Sequence, residues 1–220
     1  MSFRHDPLRL AVLISGGGRT LLNLHQAIQD GSLRAVIGTV ISSRADAAGV
    51  ARSRGAGLPT VVIERRALSA DVFQREITQA ISEPRASARA AAGVDLVCMA
   101  GFLSLWRIPD DFRGRVINIH PALLPEFGGP GMYGRRVHEA VLAAGKTVSG
   151  CTVHFCDNEY DHGPIILQRT VPVLPDDNPD TLAARVFEQE CIAYPEAIRL
   201  FAEERISLDA GTVRIYPEAK

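Results

Sequence analysis

Short apolar runs alternate along the chain with longer segments in which apolar residues recur every three or four positions. Residues 8–15 are rich in Leu, Val and Ile, which is typical of a strand buried in a parallel sheet. The segment that follows places Leu21, Leu24 and Ile28 at helical spacing, and Gly31 ends the predicted helix. The repeated strand–helix–strand order predicts an α/β fold, a single domain whose mostly parallel twisted sheet carries helices on both faces.

The same pattern covers nearly the whole sequence. Strands are predicted at residues 8–15, 35–42, 59–63, 94–100, 115–120, 147–156 and 164–173, with a strand–turn–strand segment at 206–215. Helices are predicted after the glycines at 16–18 and over residues 46–53, 69–82, 135–144 and 181–204. We expect residues 83–93, rich in Ala and Arg, to form a broken helical continuation on the surface. The sequence contains neither a repeat nor a linker, so we predict one domain over 1–220.

Composition and charge narrow the range of functions. Of the 220 residues, 46% are hydrophobic and 22% are charged, as in an ordinary folded domain. The 24 basic and 25 acidic residues nearly cancel, which argues against a strongly basic nucleic-acid-binding protein. Residues 10–14 form an apolar run too short to span a membrane, and residues 1–9 lack a signal-peptide pattern. The four cysteines lack the paired spacing of a zinc site, so we expect no metal and a reducing cytoplasm.

A glycine-rich turn joins the first predicted strand to the first predicted helix. Gly16, Gly17 and Gly18 allow backbone N–H groups to approach a phosphate, and the helix N-terminus that follows favours negative charge. Arg19 is a candidate partner for the phosphate, and Thr20 is a candidate helix cap or ligand. The same residues are also compatible with a tight turn that binds nothing.

A dinucleotide site is a second interpretation of this turn. The dinucleotide fingerprint requires a glycine where Leu21 stands, and an acidic residue at the end of the second strand, where Arg44 follows two serines. Arg44 is nevertheless compatible with a 2′-phosphate. An NADP-linked oxidoreductase therefore stays open on these residues alone.

Asn118 and His120 form the strongest local signal in the sequence. Residues two apart on a strand point to the same face with Cα atoms about 6.6 Å apart, so an amide and an imidazole lie side by side. They stand at the carboxyl end of a predicted strand, where open α/β sheets bind ligands. Histidine exchanges protons near neutral pH, and asparagine donates hydrogen bonds to a developing oxyanion. A structural, hydrogen-bonded histidine is the alternative for His120.

Asp161 is the candidate carboxylate partner of this pair. It lies in the polar loop 157–163, and Gly163 and Pro164 after it favour a turn that holds the carboxylate in place. A carboxylate beside an imidazole fixes the orientation of the ring and stabilises its charged form. The alternative is an Asx-turn residue on a surface loop.

Several longer motifs occur along the chain in a fixed order. They are Val-Leu-Ile-Ser-Gly-Gly-Gly at 12–18, Ala-Gly-Phe at 100–102, Asn-Ile-His-Pro-Ala-Leu-Leu-Pro at 118–125 and Asp-His-Gly-Pro-Ile-Ile-Leu-Gln at 161–168, followed by Gln189, Glu190, Tyr194 and Pro195. Together these motifs resemble the folate-dependent phosphoribosylglycinamide formyltransferases of purine biosynthesis. The resemblance defines a core from about residue 8 to 208 and leaves 209–220 as a C-terminal tail.

The resemblance implies a formyltransferase fold and one reaction. The amine of glycinamide ribonucleotide attacks the formyl carbon of 10-formyltetrahydrofolate, which yields formylglycinamide ribonucleotide and tetrahydrofolate without a metal. The implied catalytic residues are Asn118 on the oxyanion side, His120 as the proton-transfer group and Asp161 as the carboxylate that orients it. The implied ribonucleotide-binding residues are Gly16, Gly17, Gly18, Arg19 and Thr20 at the phosphate and Glu190 at the ribose. The implied folate-binding residues are Leu103, Ser104, Leu105, Trp106, Val116, Asp157 and Tyr160.

The sequence departs from the family pattern at three places. Arg19 and Thr20 stand where the family usually carries Ser and Asn, which changes the side chains available to the phosphate. Ser104 stands where better-known members carry Arg, so we expect the acidic tail of the folate to be bound elsewhere. The stretch 127–134 is longer than in many members, and it forms either a lid or only a longer loop.

Length separates the nearest rivals within the same fold. A methionyl-tRNA formyltransferase carries a further RNA-binding domain and a formyltetrahydrofolate hydrolase carries a regulatory domain, and 220 residues leave room for neither. A catalytically silent protein that binds folate or a phosphosugar is the remaining alternative, against which the three polar groups argue. The expected partners are therefore the two small-molecule substrates, with no nucleic acid and no membrane, in a monomer or homodimer.

Overall fold

The computed structural model describes residues 7–82, 93–209 and 211–218. They fall into two compact units, the first ending at Val116 and the second beginning at Ile117. The predicted helical continuation over 83–93 lies, except for Gly93, outside the described residues. Among the described helices, none has both the length and the apolar composition needed to cross a membrane.

The first unit is built on four parallel strands. They are β1 (Leu8–Ile14), β2 (Ala35–Ser42), β3 (Thr60–Val62) and β4 (Leu96–Met99), in the order β3-β2-β1-β4. Residues Leu10 to Ile14 of β1 are all fully buried, which explains why this strand is a continuous apolar run rather than an alternating one. Its helices are α1 (Arg19–Gln29), α2 (Ala48–Gly55) and α3 (Ala70–Ser82), with 3₁₀ turns at Arg65–Ala67 and Asp110–Phe112.

The second unit contains three antiparallel strands and the longest helix. The strands are β5 (Val116–His120), β6 (Val148–Phe155) and β7 (Ile165–Pro172), in the order β5-β6-β7. The helices are α4 (Arg135–Ala143) and α5 (Pro179–Ala202), and α5 packs against β6, β7 and α4. A separate hairpin follows, formed by β8 (Ile206–Asp209) and β9 (Thr212–Ile215).

The predicted fold class is confirmed: the strand pairings of the first unit are all parallel, and helices flank the sheet. Every predicted strand and helix within the described residues is present, and the differences lie at the ends. Helix α2 begins at Ala48, two residues after its predicted start, since Ala47 before it is still in an extended conformation. The single domain, its core at 8–208 and its tail at 209–220 stay predictions.

Helix α5 begins two residues before its predicted start. Asn178 caps it, since its side-chain oxygen accepts hydrogen bonds from the backbone N–H groups of Asp180 and Thr181. The Thr181 hydroxyl accepts a hydrogen bond from the Asn178 N–H in return, which completes a capping box. Thr181 is therefore the third helical residue, and Pro179 occupies the first position, where its missing N–H costs nothing.

Candidate active site

Strand β5 carries Asn118 and His120 on one face. Both side chains reach the carboxylate of Asp161: the Asn118 Nδ2 atom lies 3.4 Å from Oδ1, and the His120 Nδ1 atom lies 3.4 Å from Oδ2. His120 is 3% exposed, whereas Asn118 is half-buried. The structure thus brings the three predicted catalytic residues together. The imidazole faces one oxygen of the carboxylate, and the amide faces the other.

The loop before β7 holds Asp161 in a left-handed conformation with φ of 53°. Its Oδ2 atom accepts a hydrogen bond from the Gly129 N–H at 2.9 Å. Two residues on, Gly163 passes so close to β6 that a Cβ atom there would overlap the Phe155 carbonyl oxygen. The Asp-x-Gly-Pro sequence therefore serves to bring the carboxylate against β5 and β6, since only glycine fits at the third position.

His154 is a fourth member of this cluster, and it is not among the residues predicted from the sequence. It pairs directly with Asn118 across β5 and β6, with the Asn118 Nδ2 atom 3.1 Å from its Nε2 atom. Its Nδ1 atom lies 2.7 Å from the Phe155 carbonyl, which accepts only, so Nδ1 carries the hydrogen and Nε2 accepts from Asn118. His154 thereby fixes the orientation of the Asn118 amide. The signal in the sequence is a histidine within a predicted strand, but its partner is known only once the strand register is known.

Burial and charge set the protonation of the cluster. Burial lowers the pKa of His120 below its ordinary value, although the negative charge of Asp161 acts in the opposite direction. Burial disfavours the charged form of Asp161, but the nearby imidazoles of His154 and His120 and the hydrogen bond from the Gly129 N–H outweigh it, so the pKa of Asp161 is lowered. At neutral pH the cluster therefore holds a neutral imidazole beside an ionised carboxylate.

The tautomer of His120 follows from its second contact. Its Nε2 atom lies 2.8 Å from the Phe127 carbonyl oxygen and donates to it, because a carbonyl only accepts. In the neutral ring, Nδ1 is then the free base, and it faces Asp161. A proton taken up by His120 enters at Nδ1, where the carboxylate stabilises it.

Thr152 and Gln168 hold the proline-rich connection that follows His120. The buried Thr152 hydroxyl donates to the Ala122 carbonyl at 2.7 Å and accepts from the Leu124 N–H at 3.0 Å. The Gln168 amide donates to the Leu124 carbonyl at 3.0 Å and to the Thr152 hydroxyl at 2.9 Å. The connection is therefore fixed by side chains of β6 and β7 as well as by its prolines.

A cavity of about 260 Å³ opens beside Asp161. Its lining is mainly apolar or glycine and includes Leu124, Pro125, Gly128, Gly129, Tyr160 and Ile165. The predicted folate-binding residue Tyr160 borders it and is 43% exposed. The predicted residue Asp157 accepts hydrogen bonds from the Glu159 N–H and from His162, both at 2.8 Å, and its hydrogen bond raises the pKa of His162.

The remaining predicted folate-binding residues lie in the first unit, and they differ in how far their side chains are exposed. Leu103 and Leu105 are 45% and 40% exposed, and Ser104 is half-buried. Trp106 is buried, and its indole N–H donates to the Thr78 hydroxyl at 3.1 Å. Val116, at the start of β5, is also buried. The side chains of Leu103 and Leu105 are thus accessible, whereas Trp106 and Val116 belong to the core.

The glycine turn lies between β1 and α1. Gly18, with φ of 73°, stands at the cap position, and the cap has no side-chain hydrogen bond, so Thr20 does not cap the helix. Arg19 is exposed in the first turn of α1, and Thr20 is half-buried. Glu190, on α5 in the second unit, is half-buried, and its charge adds to the burial that raises the pKa of the Cys151 thiol to about 12.

Within the described residues, no group of three or more His, Cys, Asp or Glu side chains is arranged to hold a metal ion.

Comparisons with known proteins agree with this geometry. The family model for formyl transferase matches residues 8–198. The chain belongs to the formyl transferase family.

The relatives are more specific than the family. The chain is 39% identical to a chloroplastic phosphoribosylglycinamide formyltransferase of Arabidopsis thaliana, over 92% of this chain and 68% of that protein. It is also 39% identical to the trifunctional purine biosynthetic protein adenosine-3 of Drosophila melanogaster, over 96% of this chain but only 14% of that much longer protein. Its fold matches the crystal structure of glycinamide ribonucleotide transformylase 1 from Symbiobacterium toebii with a TM-score of 0.84 and 40% identity, over 96% and 94% of the two chains. The resemblance to phosphoribosylglycinamide formyltransferases is confirmed.

Proposed function

We propose that this chain transfers the formyl group of 10-formyltetrahydrofolate to the amine of 5′-phosphoribosylglycinamide, a step of purine biosynthesis. The observation that carries the proposal is the cluster of Asn118, His120 and Asp161 in a chain of the formyl transferase family. The products are formylglycinamide ribonucleotide and tetrahydrofolate.

The transfer places three demands on the protein. The attacking amine must lose a proton, the formyl oxygen gains negative charge, and the folate nitrogen that leaves must gain a proton. His120, neutral at Nδ1, accepts the proton of the amine as the new C–N bond forms. The ionised Asp161, 3.4 Å from that atom, stabilises the resulting imidazolium. The same proton then passes to the leaving nitrogen as the old C–N bond breaks.

Asn118 is the proposed donor to the developing oxyanion. One hydrogen of its amide faces His154 at 3.1 Å, and the other faces Asp161 at 3.4 Å, at the long limit of a hydrogen bond. The hydrogen directed at Asp161 makes the longer contact of the two, so it is the one that is shared with the formyl oxygen when the substrate is bound. His154 keeps the amide in place through the other hydrogen.

The proposed substrate contacts follow from where the predicted residues lie. The backbone N–H groups at 16–18 and the exposed Arg19 and nearby Thr20 bind the phosphate, and Glu190 binds the ribose hydroxyls. The folate contacts the side chains of Leu103, Ser104, Leu105, Asp157 and Tyr160. The buried Trp106 and Val116 contribute by supporting these residues or through their backbone groups. We assign no role to a metal, a nucleic acid or a membrane, and we expect a monomer or homodimer in the cytoplasm.

The proposal is tested by assaying formyl transfer with the purified chain. Glycinamide ribonucleotide and 10-formyltetrahydrofolate are supplied, and the absorbance change of the folate is followed with and without the ribonucleotide. Turnover that requires the ribonucleotide supports the proposal. Deformylation without it indicates the hydrolase, and binding of both ligands without turnover indicates a catalytically silent protein.

A further inference from the structure

Both carbonyl groups in the first half of the glycine turn are hydrogen-bonded to helix α2. The Gly16 carbonyl accepts from the Gly49 N–H at 3.0 Å, and the Gly17 carbonyl accepts from Nη1 of Arg52 at 2.6 Å. Neither Gly49 nor Arg52 belongs to the turn itself. The conformation of the turn is therefore set from outside, by one backbone group and one side chain of α2.

These two contacts determine where the N–H groups of the turn point. In a trans peptide the C=O and the following N–H point in opposite directions. Because the carbonyls of Gly16 and Gly17 point at α2, the N–H groups of Gly17 and Gly18 point away from it. Successive N–H groups on the same side of a turn are the groups that form a concave site for an anion in proteins.

Close packing of α2 against the turn makes the Arg52 contact possible. A Cβ atom on Gly18 would lie 2.9 Å from the Cα atom of Gly49, and one on Gly49 would lie 2.8 Å from the Gly16 carbonyl oxygen. The two backbones therefore touch through glycines. Arg52 stands three residues after Gly49 on the same helix, so its side chain lies over the contact and reaches Gly17.

We propose that Arg52 is a positioning residue for the substrate phosphate: by holding the Gly17 carbonyl it directs the Gly18 N–H at the anion. This inference rests on the proposed function, which puts the ribonucleotide phosphate at the glycine turn. Arg52 also places a positive charge behind the turn, and a charged donor binds a carbonyl more strongly than a neutral one.

Arg54 provides a matched control on the same helix. It is exposed like Arg52 and lies in the same last turn of α2, so Arg54→Gln makes the same change in net charge. Arg54 follows Arg52 by two residues, so its side chain lies on a different side of the helix. The difference between Arg52→Gln and Arg54→Gln isolates the hydrogen bond to Gly17 from the general loss of a cation.

The first readout is steady-state kinetics with both substrates. Arg52→Gln should raise the KM for the ribonucleotide about tenfold, while kcat and the KM for the folate donor change less than about twofold, because binding of a group remote from the reacting atoms is lost. Arg54→Gln should leave all three constants within about twofold. Arg52→Lys, which keeps the charge and one donor, should raise the KM about threefold, and it replaces Arg52→Gln if that variant fails to fold. An unchanged ribonucleotide KM in the Arg52 variants would overturn the proposal.

The second readout uses inorganic phosphate and needs no turnover. Titration into the unmodified chain should shift the backbone amide resonances of Gly17 and Gly18, and Arg52→Gln should require about tenfold more phosphate for the same shift. If phosphate moves neither resonance in the unmodified chain, the inference is wrong even where formyl transfer is observed. If the resonances move as expected but no transfer occurs, the proposed function fails and the role of Arg52 stands.

Discussion

The two units of the chain present their candidate chemistry in different ways. In the second unit it resides in side chains, since Asn118, His120 and Asp161 meet through their functional groups, all three partly or largely removed from solvent. In the first unit it resides in the backbone N–H groups of the turn, where Gly17 is exposed and Gly18 is buried. The side-chain cluster contains groups that take up and release protons, whereas the backbone turn offers fixed dipoles that do not titrate.

This difference determines which substitutions should disable each site. A side-chain cluster is lost when one of its own residues is replaced, because no neighbour supplies the missing group. A backbone site keeps its N–H groups after any replacement except by proline and loses only their direction, which depends on residues elsewhere, such as Gly49 and Arg52. We therefore expect large effects on turnover in the second unit and smaller effects on binding in the first.

The largest effect is expected from the catalytic residues themselves. Separate variants His120→Ala, Asn118→Ala and Asp161→Asn should each lower kcat by about 10²- to 10⁴-fold, because each removes a proton-transfer or oxyanion-stabilising group. Steady-state assays check the loss, and circular dichroism checks that the fold is intact. Near-normal turnover of the His120 variant would remove that residue from its assigned role.

The pH dependence should reflect the lowered pKa of His120. Turnover should stay high below the ordinary pKa of histidine and fall only as the pH drops through the lowered value, where His120 takes up a proton and no longer accepts one from the amine. Replacing Asp161 by Asn removes the charge that favours the imidazolium, so the pKa of His120 should fall further. An NMR titration of the His120 ring in both proteins measures this directly. A higher pKa in the Asn variant would contradict the assigned role of the carboxylate.

The same lowered pKa predicts the direction of the stability change. Below the ordinary pKa of histidine, the unfolded chain takes up a proton at His120 while the folded chain does not. The free energy of unfolding should therefore decrease as the pH falls from that ordinary value to the lowered one. Denaturant titrations of the unmodified chain and of His120→Ala, which lacks the group, check that the slope becomes smaller in the variant.

Most of the fold could be predicted from the sequence because its elements have clear periods. The continuous apolar runs of β1 and β4 and the helical spacing of Phe73, Ile77 and Ile81 correspond to buried faces in the structure. The ends of elements were less accurate, as at α2 and α5. At α5 a local contact, the cap by Asn178, fixes the boundary, and periodicity does not report such contacts.

The residues of the candidate site likewise differ in whether the sequence alone could identify them. Asn118, His120 and Asp161 could be selected because their chemistry and their motifs stand out in the sequence. His154, Thr152 and Arg52 could not, because each acquires its role from a partner distant along the chain: Asn118, the connection after His120, and Gly17. Strand register and helix packing supply these partners, and a single sequence specifies neither directly.

A moderate effect is expected from His154, which links these two groups of residues. His154→Phe removes the acceptor of the Asn118 amide while it keeps a ring in the buried position. We expect kcat to fall about tenfold, less than for Asn118→Ala, because the amide is still present but less well oriented. In the double variant with Asn118→Ala the loss should not be additive. Additive losses would show that His154 acts independently of Asn118.

The smallest effects are expected in the predicted folate-binding segment, where some side chains are exposed and others are buried in the core. Leu105→Ser should raise the KM for the folate donor about threefold through lost apolar contact, with the free energy of unfolding nearly unchanged, because the side chain is 40% exposed. Trp106→Phe removes the hydrogen bond to Thr78 and part of a buried ring, so it should lower the free energy of unfolding by about 1–3 kcal/mol with little change in KM. Steady-state kinetics give the KM of both variants, and denaturant titrations give their free energies of unfolding. The reverse pattern would show that Trp106 contacts the folate and that Leu105 serves only the fold.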